Sequence, residues 1–270
     1  MIYLDGVLVN DKEKDYFPDG TPAFNALETA EFPKMSGDVT RYIEWDFDNM
    51  GELFEVIALT DWLRSQGYNR ISLKMPYIPN ARMDRVKQYT DVFTLKTMCR
   101  LINDCYFTEV VTYSAHSNVS LAMINNIKDL EPVLNFIVQH KDEFDTIYLP
   151  DEGAVKRYTD FIAITSYPIV SANKRRDWKT AKILGLDIVG DPENVNGKRI
   201  LFIDDIISRG GSLKFSAKKL TEMGAADIKA YIPHCENVVD TASLKEAGVT
   251  KIYTTKSIYR GSDPLIEIVE

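Results

Sequence analysis

Two neighbouring carboxylates in the segment 199–212, RILFIDDIISRGGS, have the clearest potential for chemistry in the chain. Asp204 and Asp205 directly follow a hydrophobic run that is typical of a buried strand. In open α/β sheets ligands bind at the carboxyl ends of the strands, where paired carboxylates can hold ribose hydroxyls or a magnesium ion. Acidic residues before a glycine turn also occur for purely structural reasons, but the pair together with this turn favours a ligand site.

The turn that follows the carboxylates has the composition of a phosphate-binding loop. Its residues are Ser208, Arg209, Gly210, Gly211 and Ser212. Glycines let backbone N–H groups approach a phosphate, and the amino terminus of a following helix, here predicted over residues 213–223, adds favourable partial charge. We therefore expect a strand, a turn and a helix that together hold a phosphorylated sugar.

This segment resembles the ribose-5-phosphate loop of ribose-phosphate pyrophosphokinases, also called PRPP synthetases, and of type I phosphoribosyltransferases in general. Residues 76–85, PYIPNARMDR, are similar to a segment of the pyrophosphokinases that plain phosphoribosyltransferases lack. The resemblance implies that Arg82 contacts the phosphates or the adenine of ATP and that Asp84 belongs to the same site. It covers nearly the whole chain, with the matching segments in the order of the family.

Residues 17–20, FPDG, resemble a hairpin of the same family. The resemblance implies that Phe17 and Asp19 reach an adenine across a subunit interface, and hence that the chain forms a homo-oligomer. The next residue in the family is a glutamate, whereas this chain has Thr21. An ordinary hairpin turn without a role in binding is therefore the alternative interpretation.

A basic run in this acidic chain resembles the loop with which the pyrophosphokinases close on the transferring phosphates. The resemblance assigns Lys174 and Arg176 to stabilisation of the transition state, with Arg175 as a supporting charge. The alternative for such a run is a solvated face.

Two further segments are similar to the magnesium site of the family. Asp151 lies in residues 150–157, PDEGAVKR, which match the family's Pro-Asp-x-Gly-x-x-x-Arg segment, and His116 matches the histidine of its Asp-Leu-His triplet. The resemblance implies that both residues bind Mg²⁺, although the aspartate of the triplet is Ser114 here. A structural histidine at a strand end is the alternative for His116.

The glycine loop departs from the family, which usually reads Asp-Thr-Gly-Gly-Thr where residues 208–212 read SRGGS. Arg209 makes the phosphate pocket more positive, and arginine forks suit extended or paired phosphates. ADP-ribose, which a phage-type branch of the family uses as acceptor, is therefore a candidate acceptor as well as ribose 5-phosphate. The alternative is that Arg209 points to solvent.

Two other functions stay open at this stage. A type I phosphoribosyltransferase would use PRPP as donor, but the Arg82 segment and the basic run at Lys174 oppose it. A catalytically silent, regulatory relative of the synthetases would suit the departures at Ser114 and Thr21, whereas the retained candidate site residues oppose it.

The pattern of elements predicts an α/β fold, because short β-branched runs alternate with longer segments of helical period. The resemblance implies two tandem type I phosphoribosyltransferase-like domains, each a mainly parallel sheet flanked by helices. We place the ATP site in residues 1–138 and the ribose-phosphate loop in residues 139–270. A helix is predicted over residues 52–65 with Gly67 as its C-cap. Strands are predicted over residues 70–74, 109–113, 146–149, 161–164, 199–203, 228–232 and 251–254.

The composition is globular, with 45% hydrophobic and 27% charged residues in a chain of 270. A net charge of -8 repels phosphate backbones, so we expect neither nucleic acid nor an anionic membrane as partner. The three cysteines lack zinc-site spacing and are predicted to be buried thiols. We see no leader or membrane span and expect a cytoplasmic protein. Of the remaining histidines, His234 is predicted to be structural and His140 to be exposed.

Overall fold

The computed structural model describes residues 1–9, 16–23, 39–176 and 183–269, apart from the side chains of residues 174–176, 183 and 184. The chain forms two compact units, Met1–Leu130 and Glu131–Glu270. The predicted domain boundary between residues 138 and 139 falls inside the helix Val133–Gln139 of the second unit.

The first unit is built on one mixed sheet, which has six strands in the described residues. The strands are β1 (Ile2–Leu4), β2 (Val7–Leu8), β3 (Thr40–Trp45), β4 (Arg70–Lys74), β5 (Glu109–Tyr113) and β6 (Ile127–Leu130). Their order is β2-β1-β3-β4-β5-β6, with β3 to β6 parallel and β1 antiparallel to both of its neighbours. The helices of this unit are α1 (Gly51–Ser65), α2 (Thr94–Asp104) and α3 (Asn118–Met123).

Helix α1 follows the spacing of its apolar residues, which recur every three or four positions. Those buried in the core of the unit are Leu53, Val56, Leu59 and Leu63. The helix ends before Gly67, whose φ of +89° is the left-handed conformation of a C-cap and whose N–H donates to the Arg64 carbonyl at 2.9 Å. The predicted helix and its glycine cap are therefore confirmed.

The second unit is built on a larger sheet, which has seven strands in the described residues. Its elements in chain order are α4 (Val133–Gln139), β7 (Thr146–Leu149), α5 (Glu152–Ala163), β8 (Ile169–Arg176), β9 (Ile183–Val189), β10 (Arg199–Ile203), β11 (Ile206–Ile207), α6 (Gly211–Glu222), β12 (Asp227–Tyr231), β13 (His234–Cys235), α7 (Thr241–Glu246), β14 (Val249–Thr254) and β15 (Ile266–Ile268). The order is β15-β14-β12-β10-β7-β8-β9, parallel except for the β8–β9 pair. Strands β11 and β13 form a separate short parallel pair.

Strand β10 lies in the middle of the second sheet, parallel to β7 on one side and β12 on the other. Successive side chains of a strand point to opposite faces. Accordingly Ile200 and Phe202 belong to one buried core, and Leu201 and Ile203 to another. A strand that is buried on both faces reads as a continuous apolar run, which is why its sequence predicted it correctly.

One predicted strand is wrong. Residues 161–164 are not a strand, because α5 runs through them to Ala163. Ala154, Tyr158 and Ile162 are spaced four residues apart and are all buried, so the helical period of the whole segment prevails over its short apolar run.

The predictions for His234 and His140 have different outcomes. His234 is buried, and its Nδ1 lies 2.9 Å from Ser257 Oγ, which fits a structural residue. The prediction that His140 is exposed is wrong, because its ring stacks on Phe136 with the centroids 4.3 Å apart. Its Nδ1 also lies 2.8 Å from Glu143 Oε1, so aromatic packing and an acidic partner hold it at the surface of the core.

The three cysteines, Cys99, Cys105 and Cys235, are free and buried, as predicted. Burial raises the pKa of the Cys99 thiol to about 11. No helix in the described residues has the length and apolar character needed to cross a membrane.

Candidate active site

Three aspartates lie at the carboxyl ends of the adjacent strands β7 and β10 in the second unit. Asp151 follows β7 and its Pro150, whereas Asp204 and Asp205 directly follow β10. The two strands are parallel and in register, with Phe202 opposite Tyr148. The sheet therefore brings the acid pair and Asp151 to one edge, where open α/β folds bind ligands.

The acid pair is electrostatically asymmetric. The Asp205 N–H donates to Asp204 Oδ1 at 3.0 Å, and Asp205 Oδ2 forms a 3.0 Å ion pair with Arg157 Nη1 of α5. Burial, the charge of Asp205 and that of Asp151 raise the pKa of Asp204 well above its ordinary value. Asp205 thus has a positive partner, whereas the surroundings of Asp204 favour its protonated form.

The glycine loop has the geometry expected of a turn into a helix. Gly210 has φ of +87° and precedes α6, which begins at Gly211 rather than at residue 213. A Cβ on Gly210 would lie 3.0 Å from Leu244 Cδ1, so both the conformation and the close packing favour a glycine. Ser208 and Ser212 are half-buried, whereas Arg209 is exposed. The predicted strand, turn and helix are confirmed, and their use for a phosphate stays a prediction.

Asp151 caps helix α5, and this contact fixes the direction of its carboxylate. It is the N-cap of α5, and its Oδ1 accepts from the Ala154 N–H at 3.1 Å. The charge of Asp151 also contributes to raising the pKa of Asp204. A capping carboxylate at a ligand-binding edge fits a magnesium ion, which proteins usually bind through one or two carboxylates and substrate phosphates.

In the described residues no three His, Cys, Asp or Glu side chains form a cluster that could enclose a metal ion. Magnesium would therefore depend on phosphate oxygens and water for most of its ligands, which is its usual chemistry. His116, the other predicted ligand, follows β5 in the first unit, so the chain places the two candidates in different units.

In the first unit, the segment with Arg82 follows β4 and His116 follows the neighbouring parallel strand β5. The two strand ends are tied together by Asp84, whose Oδ2 accepts from Ser117 Oγ at 2.8 Å. Asp84 Oδ1 also lies 3.2 Å from Arg85 Nε. Asp84 therefore anchors the segment beside His116, while Arg82 itself is exposed. Contact of Arg82 and Asp84 with ATP stays a prediction.

The departure at Ser114 lies in a tight bend before His116. Ser114 is buried with φ of +43°, and its N–H donates to the Leu130 carbonyl at 3.0 Å. The next N–H, of Ala115, donates to Asp129 Oδ1 at 3.1 Å. Backbone hydrogen bonds to β6 therefore hold this bend where the family has an aspartate.

The segment with Phe17 and Asp19 is a hairpin turn, as predicted. The Gly20 N–H donates to the Phe17 carbonyl at 2.8 Å, and the Thr21 N–H donates to Asp19 Oδ1 at 2.9 Å. These contacts of Thr21 lower the pKa of Asp19. Phe17 is 57% exposed, which leaves its ring available for a partner outside the unit. Contact with adenine stays a prediction.

The basic run lies at the end of β8, where the backbone of Lys174, Arg175 and Arg176 pairs with β9 in an antiparallel ladder. The side chains of these three residues lie outside the described part of the chain, so their predicted action on phosphates is untested.

Arg157, which pairs with Asp205, is a neighbour of the acid pair that was not predicted from the sequence. It matches the arginine that closes the family's Pro-Asp-x-Gly-x-x-x-Arg segment, which was the available signal. Its pairing with Asp205 depends on how α5 packs beside β10, and sequence spacing carries no information about that.

The chain is similar to ribose-phosphate pyrophosphokinases over most of its length. The similar proteins include that of Pyrococcus abyssi, with 26% identity over 262 residues that cover 93% of this chain and 87% of the relative. For that of Listeria ivanovii the identity is 28% over 228 residues, or 81% of this chain and 69% of the relative. No protein-family model matches the chain.

Among solved structures, the phosphoribosylpyrophosphate synthetase of Mycobacterium smegmatis is similar, with a TM-score of 0.76 and 18% identity. The similarity covers 97% of this chain and 85% of that protein. The predicted α/β fold of two phosphoribosyltransferase-like domains, each with a mainly parallel sheet, is thereby confirmed.

Proposed function

We propose that the chain is a magnesium-dependent pyrophosphokinase that transfers the β,γ-diphosphate of ATP to the anomeric hydroxyl of a 5′-phosphorylated ribose. The anomeric oxygen attacks the β-phosphorus, the bond from that phosphorus to the oxygen shared with the α-phosphate breaks, and AMP leaves. The hydroxyl proton passes to solvent. The observation that carries the proposal is the edge where Asp204, Asp205 and the amino terminus of α6 meet, in a chain related to ribose-phosphate pyrophosphokinases.

The acceptor is held by the second unit. Asp204 and Asp205 accept hydrogen bonds from the ribose hydroxyls, while the N–H groups at the start of α6, with Ser208 and Ser212, hold the 5′-phosphate. Fixing the sugar in this way lowers the entropic part of the barrier, because the anomeric hydroxyl no longer has to find its orientation.

Charge neutralisation supplies most of the remaining catalysis, since phosphoryl transfer needs little covalent help from the protein. Lys174, Arg176 and Arg82 would stabilise the charge on the transferring phosphates, with Arg175 in support. Asp151 and His116 are the proposed ligands of magnesium, which when bound would withdraw charge from phosphate oxygens.

A second acceptor, ADP-ribose, is favoured by the exposed side chain of Arg209. Hydrogen bonds from Ser243 lower the pKa of Asp240, and the charges of Lys214 and Arg209 lower it further, so both cations act in the neighbourhood of Asp240. An extended diphosphate would find positive partners there, whereas a terminal 5′-phosphate needs only the loop itself.

The test is AMP release from ATP and magnesium with ribose 5-phosphate or ADP-ribose in separate reactions, with mass spectrometry of the products. We expect AMP together with a pyrophosphorylated acceptor, and a loss of several orders of magnitude for Lys174→Ala with little change in folding. An Arg209→Thr variant that loses activity only with ADP-ribose would assign that acceptor.

Absence of AMP with both acceptors would contradict the proposal and favour a silent relative. Formation of a nucleotide from PRPP and a base would instead support a phosphoribosyltransferase. The exposed ring of Phe17 further supports a homo-oligomer, which light scattering of the purified chain would test.

A further inference from the structure

Arg157 is placed to act on acceptor binding without being part of the glycine loop. It lies on α5, and its Nη1 is 3.0 Å from Asp205 Oδ2. The side chains are largely buried, with 23% of Arg157 and 9% of Asp205 exposed. An ion pair at this depth is weakly screened by solvent, so loss of one partner has a large effect on the other.

Asp205 is restrained from three sides. Its backbone N–H donates to Asp204 Oδ1 at 3.0 Å, and its carbonyl accepts from the His234 N–H at 3.1 Å. The ion pair with Arg157 then restricts rotation of the carboxylate. With the backbone and one carboxylate oxygen both fixed, the second oxygen keeps a constant direction, as a site that orients a sugar hydroxyl requires.

The local charge balance shows why a cation is needed at this point. Three acids, Asp151, Asp204 and Asp205, lie at the carboxyl ends of the neighbouring strands β7 and β10. The charges of Asp205 and Asp151 both act on Asp204. Arg157 adds a positive charge from the helix whose N-cap is Asp151. Helix α5 therefore sets the positions of the proposed magnesium ligand and of the carboxylate that meets the acceptor.

We propose that Arg157 is a positioning residue, which holds the Asp205 carboxylate in the direction needed to accept from a ribose hydroxyl and makes no contact with ATP. This rests on the proposed function only in so far as Asp204 and Asp205 bind a ribose phosphate. Arg157 thus determines affinity for the acceptor through Asp205.

The test compares Arg157→Met and Arg157→Lys with a matched control, Arg199→Met. Arg199 also pairs with an aspartate in this unit, at 2.7 Å from Asp145 Oδ1, but at the opposite end of the strands. Calorimetric titration with ribose 5-phosphate gives the Kd of the acceptor without any need for turnover. Kinetics of AMP release give the KM of each substrate, and thermal melting reports on folding.

For Arg157→Met we expect the Kd and KM of ribose 5-phosphate to rise about tenfold or more, with the KM of ATP changed less than about twofold. Arg157→Lys should recover most of the affinity, because the charge is kept. Arg199→Met should lower the melting temperature without changing either constant. Should Arg157→Met not fold, Arg157→Gln decides instead, because it removes the charge that pairs with Asp205 but keeps a polar side chain. The positioning role predicts a higher Kd for this variant, whereas a purely structural role predicts a lower melting temperature at unchanged Kd.

Unchanged acceptor affinity in a folded variant that lacks the charge, Arg157→Met or Arg157→Gln, would overturn the inference, as would a rise confined to the KM of ATP. Failure of the proposed function looks different. If the unaltered chain binds ribose 5-phosphate in an Arg157-dependent way but releases no AMP, the positioning role stands and the pyrophosphokinase reaction does not. If it does not bind ribose 5-phosphate at all, both fail.

Discussion

The two ends of the same pair of strands, β7 and β10, hold aspartate in opposite ways. At the amino end, the Asp145 carboxylate accepts from Arg199, at 2.7 Å from Nη2 and 3.0 Å from Nε. These hydrogen bonds lower the pKa of Asp145 to about 2. At the carboxyl end, burial and the neighbouring Asp205 raise the pKa of Asp204 well above its ordinary value.

The difference distinguishes a pair that supports the fold from a group that we propose to bind a ligand. At the amino end, a positive partner on the adjacent strand removes the cost of the charge. At the carboxyl end, Arg157 pairs with Asp205, and Asp204 meets a second acid instead. A carboxylate whose charged form is destabilised by its surroundings is typical of functional sites, because a bound ligand or metal can offset that destabilisation.

Of the changes at the two strand ends, Asp204→Asn has the largest expected effect. We expect kcat/KM for AMP formation to fall by about a hundredfold, because asparagine keeps only one accepting oxygen, replaces the other by an N–H donor and carries no charge to strengthen a hydrogen bond from a sugar hydroxyl. The melting temperature should rise at the same time, since the folded chain holds Asp204 against its charged form. Steady-state kinetics and scanning calorimetry measure the two changes. A variant that loses both activity and stability would break the comparison.

The pH dependence of the same variant sharpens this prediction. Because folding raises the pKa of Asp204, its destabilising effect is fully present above the folded-state pKa and disappears below the ordinary value of 3.8. The stability gain of Asp204→Asn should therefore be large near neutral pH and vanish in acid. A gain that is independent of pH would point to altered packing.

Much of the carboxyl end could be predicted from the sequence, because local features encode it. Strand β10 is a continuous apolar run, and two acids and two glycines follow it in fixed order. The same reasoning failed at residues 161–164, where a short apolar run suits a strand or a buried helix equally well. Only the burial of Tyr158 and Ile162 on one helix face decides between them.

What could not be predicted depends on partners that are distant in the chain. The ion pair of Arg157 with Asp205 joins α5 to the end of β10, and the sequence of neither segment indicates that the two residues are in contact. The residues after Val170 read as polar, yet β8 continues to Arg176 because β9 pairs with its backbone. The half-buried position of His140 likewise follows from its contacts with Phe136 and Glu143, which cannot be predicted from a polar stretch of sequence.

An intermediate effect is expected for Gly210→Ala, which tests the backbone at the carboxyl end. The φ of +87° is unfavourable for alanine, and its Cβ would lie 3.0 Å from Cδ1 of the fully buried Leu244. We expect a loss of about 2 kcal/mol in the free energy of unfolding, from strain and close contact together. Urea unfolding measures it.

The matched control at the amino end is Gly197→Ala. Gly197 has φ of +71°, but a Cβ there would meet no atom within 4 Å. Its cost should be only that of the conformation, about 1 kcal/mol. Equal losses in the two variants would show that Leu244 yields and that close packing of the loop does not require the glycine.

The smallest expected effect is that of Asp145→Asn at the amino end. The side chains of Asp145 and Arg199 are 38% and 42% exposed, so solvent screens the pair and its loss should cost less than about 1 kcal/mol. Because folding lowers the pKa of Asp145 from 3.8 to about 2, its contribution is present above the higher value and is lost as the pH falls through the lower one. Urea unfolding near neutral pH should therefore show a small destabilisation that disappears in strong acid, with AMP formation unchanged. Since Asp204→Asn is expected to change stability in the opposite direction over the same pH range, a shared sign would mean that the two ends of the sheet do not differ in how they hold charge.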